Sequence, residues 1–493
     1  MSVDRFFAGL RRWLLLVIVA TTVGCPEPTP KGGQLAALNK QGPKPDLLLV
    51  VLDTVRADRL STYGHTRPTS PQLDLIAQAG VVYEDVTAPA SWTWPSHASI
   101  FTGLPPWKHG AHMQAGFAAG AGGKSAQGVM PLDPSIPTLA QTLKAAGYTT
   151  IALSANPYLD PKLGLMAGFD RAEVMADKDV VAQAEALLQA DHDQPLFLFV
   201  NLMRAHAPWG LSPAPWSKQH ETLLTGDDAP AFVKKYRRDK PFMLDFYQEK
   251  KPGEGTGFER LQRGELSLTE ADKALIMDLY DGEILAGDYL LSRIVGAWTA
   301  LRPEGIVAVT SDHGELMGEH GLWEHGKTVY PELTRVPLVI AAPGRLQAGH
   351  REHMPVQLHD LHPTLLALTG TGVPTWSLVD ASRDMPRPGP VQAKAWASQR
   401  WVKSVGQALQ WDWTLSREGQ WVQLGASDGG GDWFHNLETD PRLVQPVTPP
   451  EDVRGRLQTH TDALKTEQRT GSRPVEIPQA VHDQLRALGY VED

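Results

Sequence analysis

The sequence has a single cysteine, Cys25, among 493 residues. No internal disulfide can form and cysteine-based zinc clusters are excluded, so any metal must sit on oxygen and nitrogen ligands. Positive charge is also scarce. Lys and Arg number 46 against 56 Asp and Glu, a formal net charge of −10. A chain this acidic is a poor general binder of nucleic acid, and no nucleic-acid partner is expected. Long apolar runs are missing. The most extended, from Trp13 to Val23, falls short of the ~20 residues that cross a bilayer. Apolar residues make up 42% and charged residues 21%, which is a globular composition and excludes wholesale disorder.

Arg5, Arg11 and Arg12 precede that apolar run, in the layout of a secretory signal. Thr22-Val23-Gly24-Cys25 follows and resembles a bacterial lipobox, whose cysteine is lipidated. The lone cysteine stands at the one place where such a signal uses it. This implies a membrane partner through an N-terminal lipid anchor and a location in the bacterial cell envelope. Residues 26–44, rich in Pro, Gly, Gln and Lys, read as a tether.

From Pro45 onward, apolar runs of strand length alternate with helical patterns. Leu47–Leu52, Thr149–Ser154, Leu196–Leu202, Ile306–Thr310 and Val336–Ala341 read as strands. Ser70–Ala79, Ser135–Ala146 and Thr269 to about Leu301 read as helices, the last with Asp272 placed for a capping box. The alternation predicts an α/β fold around a mostly parallel central sheet flanked by helices. Residues 210–268 are polar and read as an insertion or lid. Residues 385–445 carry short alternating runs and predict a small antiparallel sheet, and Glu476–Leu488 a terminal helix.

Ligands of open parallel sheets bind beyond the carboxyl ends of the strands. Four predicted strands end there in polar residues: Asp53, Asn156, His206 and the pair Asp312-His313. Two carboxylates and an imidazole suit a divalent cation, and without one two facing buried aspartates would be costly. In Thr93-Trp94-Pro95-Ser96-His97, Pro95 suits a first helical turn. Thr93 then sits at the helix start, where the dipole and unpaired N–H groups favour an anion. Taken alone, that motif is adequately explained by an N-cap. His206, His325 and Lys327 could donate to substrate oxygens or protonate a leaving group.

Three segments in order resemble the sulfatase family of the alkaline phosphatase superfamily. The first runs from Leu47 through Asp53, Arg56 and Asp58 to Asp74. The second is Thr93-Trp94-Pro95-Ser96-His97 through Gly103 to His109-Gly110. The third is Thr310-Ser311-Asp312-His313-Gly314-Glu315 through His320 to Arg335-Val336-Pro337. The resemblance implies a sulfatase-like catalytic domain over 45–380 and a C-terminal subdomain with a terminal helix over 381–493. Residues 1–25 are the signal peptide with its lipobox cysteine.

Departures from the family are as informative. Sulfatases carry Cys or Ser, oxidised to formylglycine, where Thr93 stands; threonine has an extra methyl and cannot yield the aldehyde, so no formylglycine is expected. They carry Arg at His97 and usually a second Asp at Thr54. Lipoteichoic acid synthases and phosphoethanolamine transferases look similar in fold and use threonine. That resemblance implies one divalent metal on Asp53, Thr93, Asp312 and His313 and favours manganese or magnesium, whereas the sulfatase resemblance favours calcium; zinc is less expected. His97 and Asn156 are expected to bind substrate. The resulting expectation is an ester hydrolase with Thr93 as nucleophile on a phosphate ester, phosphodiester or phosphonate, with sulfate esters open only by another route. The substrate is expected to be a sulfated or phosphorylated glycan, lipid or small molecule. The competing expectations are a phosphoryl transferase and an inactive protein binding anionic glycans or lipids.

Overall fold

Leu47–Leu52 (β1) is an unbroken apolar hexamer with every side chain buried. Such a strand needs cover on both faces, and the chain provides it. A computed structural model describes residues 43–112, 129–190, 193–209, 255–381, 385–397, 409–427, 430–467 and 478–487, with 402, 405 and 406. Cys25, the signal segment, nearly all of the tether and residues 210–254 of the expected lid lie outside the described residues.

Seven further strands join β1: Val81–Tyr83 (β2), Thr149–Ser154 (β3), Arg171–Val174 (β4), Leu196–Leu202 (β5), Ile306–Thr310 (β6), Leu338–Ala341 (β7) and His350–Glu352 (β8). Their order is β8-β2-β7-β6-β1-β5-β3-β4. β1 lies between β5 and β6 and is parallel to both, with Leu47 opposite Phe197 and Ile306. Only β7 is reversed, antiparallel to β2 and β6. The single strand expected over 336–341 is two. Arg335–Val336 pairs in a small separate sheet and β7 begins at Leu338. Pro337 between them has no N–H to give a ladder.

Alternate residues of β5 show the two covered faces. Leu198, Val200 and Leu202 share a core with residues of Asp177–Gln189 and Glu270–Leu301. Phe197 and Phe199 meet aromatic rings from the other side, Phe169 and Phe101. We label the helices Pro71–Ala79 (α1), Thr93–Thr102 (α2), Leu139–Ala145 (α3), Asp177–Gln189 (α4), Glu270–Leu301 (α5) and Leu361–Leu368 (α6). α5 packs on α1 and α4, and α2 packs on α3 and α6. α5 starts as expected, with Thr269 and Asp272 forming a capping box. α3 starts later than expected, because Thr138 and Gln141 cap each other and fix its first turn there.

The predicted C-terminal antiparallel sheet is Val391–Ala395 (β9), Trp413–Glu418 (β10), Trp421–Ala426 (β11) and Gly431–Asn436 (β12). Glu451–Thr466 (α7), which the sequence reading missed, packs across β10 and β11. The buried Lys394 ammonium donates to the carbonyls of Leu464 and Glu467 at its C-terminal end, where a cation is favoured. Gln479–Ala487 (α8) is the described part of the terminal helix.

Candidate active site and metal centre

Three chain turns converge at the carboxyl ends of β1, β3 and β6. Asp53 directly follows β1, Asn156 stands two residues past β3, and Asp312-His313 stand two and three past β6. Asp53, Asp312 and His313 are wholly buried, and each offers a ligand atom within 4.8 Å of the others. Asp53 Oδ1, Asp312 Oδ2 and His313 Nε2 have no hydrogen-bond partner. Their other polar atoms are used. Asp312 Oδ1 accepts from the Thr54 and His313 amides (3.3 and 2.9 Å), and His313 Nδ1 bonds the Gly314 carbonyl at 2.9 Å. That last bond puts the ring proton on Nδ1 and leaves Nε2 a lone pair. Burying three polar atoms unpaired is unfavourable, and a divalent cation resolves all three together. Burial pushes the Asp312 carboxyl up to about 7 and the His313 imidazole down to about 3, so each disfavours charge in the absence of a countercharge.

Thr93 opens α2. It is the first helical residue and not the cap, which is Trp92, so the expected N-cap position is off by one. Thr93 and Trp94 carry the first backbone N–H groups of the helix, Pro95 has none, and Ser96 N closes onto the Trp92 carbonyl. The Thr93 hydroxyl accepts from Asn156 Nδ2 at 3.2 Å and also faces the Asp312 carboxylate. The other Nδ2 hydrogen goes to Asp53 Oδ2 at 2.8 Å, while Asn156 Oδ1 takes the Tyr158 amide at 2.9 Å. Asn156 was expected to contact substrate. In this structure its amide braces Asp53 against Thr93. Asn201 of β5, missed from sequence, adds a 3.3 Å bond to the same Asp53 oxygen.

His97, expected to bind substrate, lies directly behind the cluster. It is wholly buried, bonds the Thr93 carbonyl through Nδ1 at 3.0 Å, and holds that nitrogen 3.4 Å from Asp312 Oδ2. Phe101 and Phe199 enclose its ring. Burial lowers its pKa to about 4, and its Nε2 is buried without a hydrogen-bond partner.

Thr54, where the family usually has an acid, has φ of 59°. A β-branched residue there is strained by about 1–3 kcal/mol. Its hydroxyl turns back to the Asp53 carbonyl (2.7 Å), so it adds no ligand. The turn is held by Tyr280, whose hydroxyl donates to the Thr54 carbonyl and accepts from the Arg56 amide, and by Ser311 Oγ on the Val55 amide.

The remaining predicted residues form the rim. The His325 ring lies 4.5 Å from that of His313 and 5.3 Å from that of His206. His206 is bonded through Nδ1 to the Ala207 carbonyl at 2.7 Å. Burial, and secondarily His325, lowers its pKa. His325 Nδ1 lies 3.1 and 3.2 Å from the two oxygens of Glu315. Lys327 donates to the Trp323 carbonyl and Glu324, on a short strand paired with Leu316–Met317, and to Gln262 (2.6, 2.8 and 3.2 Å). Gln262 ends the helix Gly257–Gln262, the described end of the expected lid.

A family model described as Sulfatase matches residues 45–371. The chain belongs to the sulfatase family. It is a hydrolase of that family, whose esters are sulfuric or phosphoric. Human arylsulfatase A is 28% identical over 367 residues, covering 68% of this chain and 66% of its own length. A sulfatase of Escherichia coli, YidJ, is 24% identical, covering 66% of this chain and 68% of its own. The fold is also that of two solved structures. BT4656, solved with its substrate D-glucosamine-2-N,6-O-disulfate, superposes with a TM-score of 0.64 at 16% identity, covering 86% of this chain and 98% of its own. The phosphonate monoester hydrolase of Agrobacterium radiobacter does so with a TM-score of 0.61 at 20% identity, covering 86% and 95%.

Proposed function

We propose that this chain is a divalent-metal-dependent hydrolase of phosphate esters, phosphodiesters or phosphonates, with Thr93 as nucleophile, lipid-anchored through Cys25 in the bacterial envelope. One observation carries the reading: the Thr93 hydroxyl sits at a helix N-terminus beside three buried, unpartnered ligand atoms. A bound divalent ion would lower the pKa of that hydroxyl and neutralise a substrate oxygen. Asp53, Asp312 and His313, with Thr93, would hold the ion, and the mixed oxygen and imidazole donor set fits manganese better than magnesium, which prefers oxygen ligands alone. Thr93 Oγ1 would attack phosphorus once its proton has passed to water, because Asp312 Oδ1 already accepts two amides and Oδ2 is offered to the ion. The unpaired amides of Thr93 and Trp94 at the helix start would be available to the equatorial oxygens, and Asn156 fixes the hydroxyl's direction.

The choice of phosphorus over sulfur rests on how the covalent adduct is released. A sulfated formylglycine hydrate expels sulfate by collapsing to an aldehyde. Threonine has no such route, whereas a phosphothreonine is cleaved by water at phosphorus. The substrate is an anionic ester on a glycan, lipid or small molecule, and the sulfated sugar bound by BT4656 supports a polyol ester.

Turnover of p-nitrophenyl phosphate, a phosphodiester, a phosphonate and p-nitrophenyl sulfate tests this, using full-length protein with each metal and Thr93→Ala as control. Phosphorus turnover lost by at least ~1,000-fold in the variant is expected. Turnover of the sulfate alone would overturn the mechanism. Cys25→Ser is expected to release the protein from the membrane fraction.

A further inference from the structure

We propose that the last helix of the chain, α8, holds the metal centre in register, with Val481 and Leu485 as positioning residues that act through the turn following Asn156. This rests on the metal centre proposed above. A nine-residue helix is too short to persist in water by itself, so α8 depends on what its apolar side is pressed against. Val481 and Leu485 stand four residues apart on one face and are buried, whereas Gln479, Ala480, Asp483 and Gln484 are exposed. The element on which α8 packs is the short 3-10 turn Pro157–Leu159, whose three residues are all buried as well.

That turn leads straight to the centre. It also packs on α2, the helix that Thr93 opens, and the Tyr158 ring meets the Trp92 ring edge-on at 5.7 Å. The Tyr158 amide donates to Asn156 Oδ1 and the Leu159 amide to the Asn156 carbonyl, both at 2.9 Å. A carboxamide is planar, so fixing its oxygen fixes the direction of its nitrogen. The turn therefore decides whether Asn156 Nδ2 reaches Asp53 Oδ2 at 2.8 Å and Thr93 Oγ1 at 3.2 Å. The second of these already stands at the long end of the hydrogen-bond range, and a shift of the turn by about 1 Å breaks it.

Asp53 and the pair Asp312-His313 follow directly on central strands hydrogen-bonded on both sides. Asn156 follows β3, and its side chain is aimed by a turn that is held by packing. Support from α8 thus bears on the brace between Asp53 and Thr93 and leaves the placement of Asp312 and His313 to the sheet.

The test uses full-length protein and calorimetric titration with manganese. Leu485→Ala is expected to weaken manganese binding ~10-fold, as loss of outer support for a metal ligand does, and Val481→Ala to act in the same direction. Leu485→Met, which conserves volume, is expected to keep the wild-type affinity. In protein already carrying Asn156→Ala, Leu485→Ala is expected to change the affinity no further, because the brace it supports is gone. A helix that served only general stability would weaken binding equally in both backgrounds or in neither, and either result overturns the proposal. If wild type binds no divalent metal, the metal-centre reading fails, and amide hydrogen exchange of the metal-free protein decides the positioning separately. Leu485→Ala is then expected to speed exchange over residues 156–160 by ~10-fold or more while Trp421–Ala426 keeps its wild-type rate. Unchanged exchange over 156–160, or an equal increase in both segments, overturns it.

Discussion

Asp312→Asn gives the sharpest test of the metal centre, because it should stabilise the protein while abolishing its response to metal. The carboxylate is wholly buried. Asparagine keeps the Oδ1 acceptor for the Thr54 and His313 amides. Its Nδ2 then replaces the unpartnered Oδ2, which lies 3.5 Å from the His313 Nε2 lone pair, and turns an orphaned pair into a donor and an acceptor. Removing a buried unsatisfied group is worth about 1–3 kcal/mol. Unfolding entropy near 2.1 cal/mol/K per residue over about 450 residues is about 1 kcal/mol/K, so the metal-free Tm should rise ~1–3 °C. Wild type at about a hundred times Kd gains about 2.7 kcal/mol from metal, a shift of ~3 °C on the same scale. Differential scanning fluorimetry over manganese, magnesium, calcium and zinc reads both quantities. A metal-free variant less stable than wild type, or a variant that keeps the metal-dependent shift, would refute the assignment.

Asn156→Ala should weaken metal binding ~10- to 100-fold by calorimetric titration, because Asp53 and Thr93 both lose their brace. Thr54→Asn should raise Tm slightly, since asparagine tolerates the left-handed backbone at that position, by up to ~1 kcal/mol in chemical denaturation. Asp288 of α5 caps α1 by accepting from the Gln72 and Leu73 amides (2.7 and 3.0 Å), yet burial raises its carboxyl from 3.8 to about 7. The folded state therefore holds this proton more tightly than the unfolded state. That contribution is complete at low pH and is lost as pH rises from about 4 to 7. Asp288→Asn should flatten this part of the urea-midpoint profile, and an unchanged slope would count against the assignment.

The strands that carry the site were legible because buried parallel strands are unbroken apolar runs, and the residue ending each run stood out by polarity. Asn201 was equally legible in principle, as the one polar residue inside Leu196–Leu202. Other features depend on three-dimensional closure. Thr54 gives no sign in sequence of its left-handed backbone, which Tyr280 imposes from 226 residues away. His97 reads like any histidine near a nucleophile until Phe101 and Phe199 are seen to enclose it. The break at Pro337 was overlooked because the residues on both sides are apolar, although the missing N–H was there to be read.

The position of β1 has a consequence for biogenesis. The strand emerges first, but its partners β5 and β6 lie roughly 150 and 260 residues downstream. Until residue 310 has been made, Leu47–Leu52 has at least one apolar edge without its partner, a ready template for association with other chains. The Thr54 amide and the Asp312 carboxylate, 258 positions apart, meet only afterwards. A nascent or truncated chain ending before β6 is therefore expected to associate more readily than the full chain, and the meeting of Asp53, Asp312 and His313 comes only after that edge has been covered.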